Sequence, residues 1–201
     1  DNKHRALSNN SAAYTEKPDV GIFMDEWKSL YDSKSGERGI FNRESAQKIA
    51  AKNGRREAEH EFGTNPCCEI ILRNREFCNL SEIVIRPQDD MQSLMEKVEL
   101  ATILGTFQST LVNFKYVSNT WKKNCEEERL LGVSLTGIMD NKYTSGKVKG
   151  LEQMLDRLRE HAVEVNKTWA KTLGISQAAA ITCVKPSGTV SQLVDSASGI
   201  H

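Results

Sequence analysis

Apolar and polar positions alternate with several different periods along the chain, and each change of period predicts an element. The first 20 residues are polar and lack apolar periodicity, and Ser8-Asn9-Asn10-Ser11 reads as a loop or the edge of a strand. Val20, Phe23, Met24, Trp27, Leu30 and Tyr31 then recur at helical spacing, predicting one amphipathic helix that ends near Ser33-Lys34-Ser35-Gly36. Residues 44–62 are highly charged and read as a short solvated helix followed by a loop. Glu69-Ile70-Ile71-Leu72 and Glu82-Ile83-Val84-Ile85 are short β-rich runs flanked by Asn, Pro and Asp. Pro87-Gln88-Asp89-Asp90 stops the second run and supplies an N-cap carboxylate for a long helix. On that helix Leu94, Val98, Ala101, Leu104, Leu111 and Phe114 share one face, extended by Phe107.

Leu130 to Leu135 reads as a buried strand. Leu151, Leu155, Leu158, Ala162, Val165, Trp169 and Leu173 mark a second helix, with Gly174 as its C-cap. Ala178 to Val184 is a final predicted strand, running into Lys185-Pro186-Ser187-Gly188-Thr189. Strand, helix, strand, helix, strand is the alternation that builds parallel sheets, so the predicted class is α/β.

Composition narrows the function classes. The 201 residues carry 27 basic and 27 acidic side chains, a formal net charge of zero. That balance argues against a nucleic-acid or membrane-surface partner, either of which favours a basic excess. No run of roughly 18 apolar residues is present to span a bilayer. The start, Asp1-Asn2-Lys3-His4-Arg5, has no apolar signal region and no initiator Met, and the sequence stops at His201 without a terminating element. A segment of a longer protein is expected. Five Cys in a chain without a secretory signal argue against a disulfide framework.

The densest candidate chemistry is Asn65-Pro66-Cys67-Cys68-Glu69. Pro66 favours an extended local path, in which alternate side chains point the same way roughly 6.6–6.8 Å apart. Asn65, Cys67 and Glu69 would then face one side and Cys68 the other. An amide, a thiol and a carboxylate would serve as hydrogen-bonding group, nucleophile or radical, and general base. Two other readings stay open: Cys67, Cys68 and Cys78 as metal ligands, although no second zinc-type pair follows, and a buried strand whose Glu is only a cap. Phe77-Cys78-Asn79-Leu80-Ser81-Glu82 taken alone is a Cys at the head of a strand. Lys185-Pro186-Ser187-Gly188-Thr189-Val190-Ser191 follows a strand and could open a helix that favours anions, or be a Ser-rich capping turn. Gly36-Glu37-Arg38-Gly39 is a plain turn or a phosphate-cradling loop.

Together Asn65-Pro66-Cys67-Cys68-Glu69-Ile70, Phe77-Cys78-Asn79-Leu80-Ser81-Glu82 and Val184-Lys185-Pro186-Ser187-Gly188-Thr189-Val190-Ser191 resemble the catalytic subunit of ribonucleotide reductases. The likeness is greatest to the adenosylcobalamin-dependent ribonucleoside-triphosphate reductases. Gly36-Glu37-Arg38-Gly39-Ile40-Phe41-Asn42-Arg43 and Ser8-Asn9-Asn10-Ser11 fit the same family in the same order. The resemblance implies part of a ten-stranded α/β barrel, with Cys67 on a central finger loop. It implies that Cys67 becomes the thiyl radical that abstracts the ribose 3′-hydrogen, that Glu69 acts as base on the 3′-hydroxyl, and that Asn65 hydrogen-bonds the sugar. Cys78 would be one thiol of the reducing pair. Pro186, Ser187, Gly188, Thr189, Val190 and Ser191 would hold the substrate phosphates.

Adenosylcobalamin is the implied cofactor, with no protein metal site. The implied partners are a ribonucleoside triphosphate, dNTP or ATP effectors, and thioredoxin or a similar dithiol, in a cytoplasmic enzyme. Alternatives are the large subunit of an oxygen-dependent diphosphate reductase, or a non-catalytic nucleotide-binding remnant. Cys68 departs from the family pattern, where a small residue, commonly Gly, is more usual. The partner of Cys78, the effector region and the C-terminal Cys pair are absent from the sequence. Residues 1–201 are therefore expected to be a single incomplete domain that does not turn over alone.

Overall fold

The structure, a computed structural model, describes residues 10–34 and 39–199. Ser8, Asn9 and Gly36 to Arg38 of the predicted turns lie outside the described residues. The chain divides into two compact units, Asp1–Asn74 and Arg75–His201.

In the first unit β1 (Ser11–Tyr14) and β2 (Gly39–Asn42) pair in parallel, Ser11 opposite Gly39, with α1 (Val20–Ser33) between them in sequence. Asp19 caps α1 through hydrogen bonds from the Gly21 and Ile22 amides. The predicted helix forms, but none of its residues is buried, and Val20, Ile22, Trp27 and Tyr31 are exposed. The Asn42 side chain caps α2 (Arg43–Ala51) by accepting from Ser45 N at 2.9 Å. This helix, expected to be short and solvated, buries Ala46 and Ala50 against Phe62. Phe62 is the anchor of the unit. The Arg56 guanidinium lies 4.6 Å from its ring centroid, and Arg43 Nε donates to its carbonyl at 2.7 Å. It leads directly into β3 (Gly63–Thr64), which pairs antiparallel with β4 (Ile71–Leu72).

The second unit is built on β5 (Asn79–Val84) and β6 (Leu131–Thr136), paired in parallel from Asn79–Leu131 to Val84–Thr136. The crossover between them holds α3 (Met91–Gln108) and α4 (Asn119–Glu128), and α5 (Leu151–Leu173) and α6 (Gly188–Leu193) follow β6. Ile83, Ile85, Leu94, Val98, Leu131, Val133, Leu158, Ala162 and Ile181 form one core between helices and sheet. Asn166 on α5 pins this layer, donating to Thr106 Oγ1 and accepting from Ala178 N, both at 2.9 Å.

Several predicted features are corrected. α3 ends at Gln108, so Leu111 and Phe114 lie beyond it, and Leu104 and Leu111 are 67% and 72% exposed. After Ala101 the buried row continues through Thr102, Gly105 and Thr106 instead. The threonines tolerate burial because their hydroxyls donate to the Val98 and Thr102 carbonyls at 2.7 Å. The predicted strand Ala178–Val184 is reduced to a single parallel bridge, Val133 to Thr182. The ladder ends because the Lys185 amide goes to the Ser134 hydroxyl at 3.0 Å and Pro186 has no amide to give. The predicted C-cap holds: Gly174 closes α5 in the left-handed conformation.

Candidate active site

Residues 65–70 form the tip of the β3–β4 hairpin. The Cys68 amide donates to the Asn65 carbonyl at 3.0 Å, closing a β-turn with Pro66 and Cys67 at its corners. The extended ribbon expected here is therefore corrected to a turn. Asn at the first position and Pro at the second are strong turn formers, and the chain reverses at Pro66 and Cys67, after the residue that Pro66 keeps extended. Asn65 staples the tip from both its backbone and its side chain. Its amide donates to Ile70 O at 3.2 Å, and its Oδ1 accepts from Ile70 N at 3.0 Å and from the Thr64 hydroxyl at 3.4 Å.

Pro66, Cys67 and Cys68 are exposed at the apex, while Asn65 and Glu69 are half-buried at its base. Strict alternation of side chains does not survive the turn, so Cys67 and Cys68 are both solvent-facing. Cys68 sits at φ 63, the left-handed region that favours glycine. That is the physical meaning of the departure noted at this position. Asn65 and Pro66 also line a cavity of about 250 Å³ with Ser11, Ala13, Phe41 and Thr64. With its oxygen committed to Ile70 and Thr64, the Asn65 side chain keeps Nδ2 as its remaining hydrogen-bonding group.

Asn65, Cys67 and Glu69 belong to the first unit, and Cys78 and residues 186–191 to the second. Cys78 is half-buried immediately before β5, whose first residue Asn79 donates twice to Leu130 O, from backbone and side chain, at 2.9 Å. On its other side the Phe77 ring stacks on Trp121 with centroids 4.4 Å apart. The Phe77 amide donates to the buried Cys125 Sγ at 3.4 Å. Cys125 is a buried thiol, whereas Cys183 is only half-buried. Among the described residues no group of three or more His, Cys, Asp or Glu gathers as a metal site.

Residues 186–191 turn into α6 through Ser187, at φ 59. Ser187 is 5% exposed and its hydroxyl donates to Glu82 Oε1 on β5. Ser191 is also buried, with its hydroxyl donated to Gly188 O at 3.2 Å. Gly188 and Thr189 are exposed. At the far end of α6 the Arg86 guanidinium donates to Asp195 O at 2.9 Å and Val194 O at 2.7 Å. Neither the sequence around Glu82 nor that around Arg86 carries a local signal for these contacts. Only the tertiary partners identify them.

Arg86 is held in turn by its neighbours. Its amide donates to Asp89 Oδ2 at 2.7 Å and its carbonyl accepts from Asn141 Nδ2 at 2.9 Å. Burial raises the Asp89 pKa. The Lys97 hydrogen bond, the Arg86 amide, the Ser93 hydroxyl and the Lys97 charge outweigh burial and hold the carboxyl below its ordinary value.

No family model matches the chain. It is 29% identical over 225 residues to the adenosylcobalamin-dependent ribonucleoside-triphosphate reductase of Lacticaseibacillus paracasei, covering 98% of this chain and 29% of that protein. It is 28% identical over 228 residues to the enzyme of the same name from Lactobacillus acidophilus, with the same coverage. The Lactobacillus leichmannii enzyme is 29% identical over 163 residues, 69% of this chain. A crystal structure of a B12-dependent (class II) ribonucleotide reductase superposes with a TM-score of 0.71 at 27% identity, covering 98% of this chain and 30% of that one. The chain thus spans less than a third of the proteins it matches. Along nearly its whole length it is similar in sequence to the adenosylcobalamin-dependent ribonucleoside-triphosphate reductases and shares the α/β fold of the corresponding part of a class II ribonucleotide reductase.

Proposed function

We propose that the chain is the central part of a catalytic domain that reduces ribonucleoside triphosphates to 2′-deoxyribonucleotides by thiyl-radical chemistry. The observation that carries this reading is the exposed Cys67 at a hairpin apex stapled by Asn65, in a chain aligned along 98% of its length with reductases of that name. A thiol that must meet both a cofactor and a sugar has to stand clear of its own fold, and this apex provides that. Cys67 takes the 3′-hydrogen of the ribose, Glu69 takes the 3′-hydroxyl proton, and Asn65 donates from Nδ2 to a sugar hydroxyl. Cys78 supplies one thiol for the two-electron reduction as the 2′-hydroxyl leaves as water. The loop from Pro186 to Ser191 holds the triphosphate.

An accessible sulfur fits adenosylcobalamin, whose cobalt–carbon bond would supply the radical chemistry when bound. Thioredoxin or a similar dithiol, nucleotide effectors and a cytoplasmic setting complete the reading.

The test is triphosphate reduction by the complete protein with adenosylcobalamin and a dithiol. Cys67→Ser should abolish it. Cys78→Ser should stop product formation while cobalt–carbon cleavage, followed by absorbance, persists. Normal turnover in Cys67→Ser would overturn the assignment.

A further inference from the structure

Residues 186–199 form a closed loop. Gly199 N donates to Pro186 O at 3.1 Å across its neck, and a side chain at Gly199 would collide with the Lys185 carbonyl. Inside the loop the short α6 has too few backbone bonds to fix its own orientation. What fixes it comes from outside. Glu82 on β5 and Arg86, two residues past its end, stand four apart, so the alternation of an extended chain puts both side chains on one side. Glu82 takes the Ser187 hydroxyl at the start of α6, and Arg86 takes the Val194 and Asp195 carbonyls at its end.

We propose that Glu82 and Arg86 are positioning residues for the 186–191 loop, gripping α6 at both ends, and that Ser187 serves this grip and not the phosphate. This rests on the reading of 186–191 as the phosphate-holding loop. Hydrogen bonds to charged groups are the strong ones, so each grip orients the loop firmly. With the Ser187 hydroxyl committed to Glu82, the loop meets its ligand through its exposed Gly188–Thr189 face. The strand that begins just after Cys78 also aims the triphosphate loop, so the reducing thiol and the substrate's charged end are referenced to one element.

The test is a double-mutant cycle in the complete protein, with a ribonucleoside triphosphate as the probe. Glu82→Ala and Ser187→Ala should each raise Kd about tenfold, and the double variant should lose no more than either single one. KM should rise while kcat stays within about threefold, because the reacting sulfur is untouched. Arg86→Met should act in the same direction, with Arg86→Lys recovering part of the loss. Additive losses would make Ser187 an independent phosphate ligand and overturn the proposal, as would an unchanged Kd in Glu82→Ala. Hydrogen exchange keeps the test decisive without binding. The amides of Ser191, Val194 and Ser196 should exchange faster in Glu82→Gln and Arg86→Met, and unchanged exchange would refute the grip. Failure of the wild-type protein to bind triphosphate would sink the phosphate reading, leaving exchange to judge the grip.

Discussion

The side-chain oxygen of Asn65 lies 3.0 Å from the amide nitrogen of Ile70, bridging the base of the turn whose apex is Cys67. A residue expected to hydrogen-bond the sugar is thus also the brace of the loop that carries the thiol. Asn65→Ala should therefore cost stability, about 1–2 kcal/mol for the lost bonds to a half-buried amide, besides any loss of activity. Urea denaturation measures the first and turnover the second. Undiminished stability would show that the brace carries no weight.

Cys68 holds a left-handed conformation that costs an L-residue roughly 1–2 kcal/mol. Cys68→Gly should stabilise the hairpin by up to about 1 kcal/mol after the glycine's extra unfolded-state entropy, and Cys68→Val should destabilise it. Thermal melts of the three proteins decide the order.

Two glycines should respond in opposite ways to alanine. At Gly137, φ is 77 and an added Cβ would stand 2.5 Å from the Ile85 carbonyl oxygen, so Gly137→Ala should cost about 1–3 kcal/mol. Gly105 sits inside α3, and its Cβ would meet Leu131 Cδ2 at 3.4 Å, an ordinary contact. Gly105→Ala should gain about 0.5–1 kcal/mol from helix propensity. Calorimetric melting temperatures moving in the same direction would contradict the pair.

Asp89 makes stability pH-dependent. It is 7% exposed, bonded to Lys97 Nζ at 2.5 Å, and its folded pKa lies below the ordinary 3.8. A depressed carboxyl contributes fully above its unfolded pKa, and that contribution disappears as pH falls through the folded value. The wild type should therefore lose stability below pH 3.8 more steeply than Asp89→Asn, which should already be weaker at neutral pH. Denaturant midpoints across pH 2–7 test this, and parallel curves would rule Asp89 out.

Much of the scaffold was legible because its signals are local. Asp90 capping α3, the β5 and β6 runs, and α5 with its closing Gly174 all follow from period and capping chemistry. α4 was not legible. Its sequence, Asn119 to Glu128, offers Trp121 and Cys125 as its only apolar residues, and its outer face is charge, with Lys122–Glu126 and Lys123–Glu127 pairs. The hairpin apex was not legible because Pro66 has two local effects, extending the residue before it and forming the corner of a turn, and only the Cys68–Asn65 hydrogen bond tells which prevails. The grip of Glu82 and Arg86 on α6 joins residues more than 100 positions apart, which no local pattern records.

Among the described residues β5 pairs only with β6, and beside its other edge the exposed Leu100 and Leu104 of α3 border an open groove with Leu80. A sheet edge next to exposed apolar helix positions makes a sticky seam. A concentrated solution of the 201-residue chain should scatter light well below its melting temperature, and charged replacements at Leu100 and Leu104 should keep it clear.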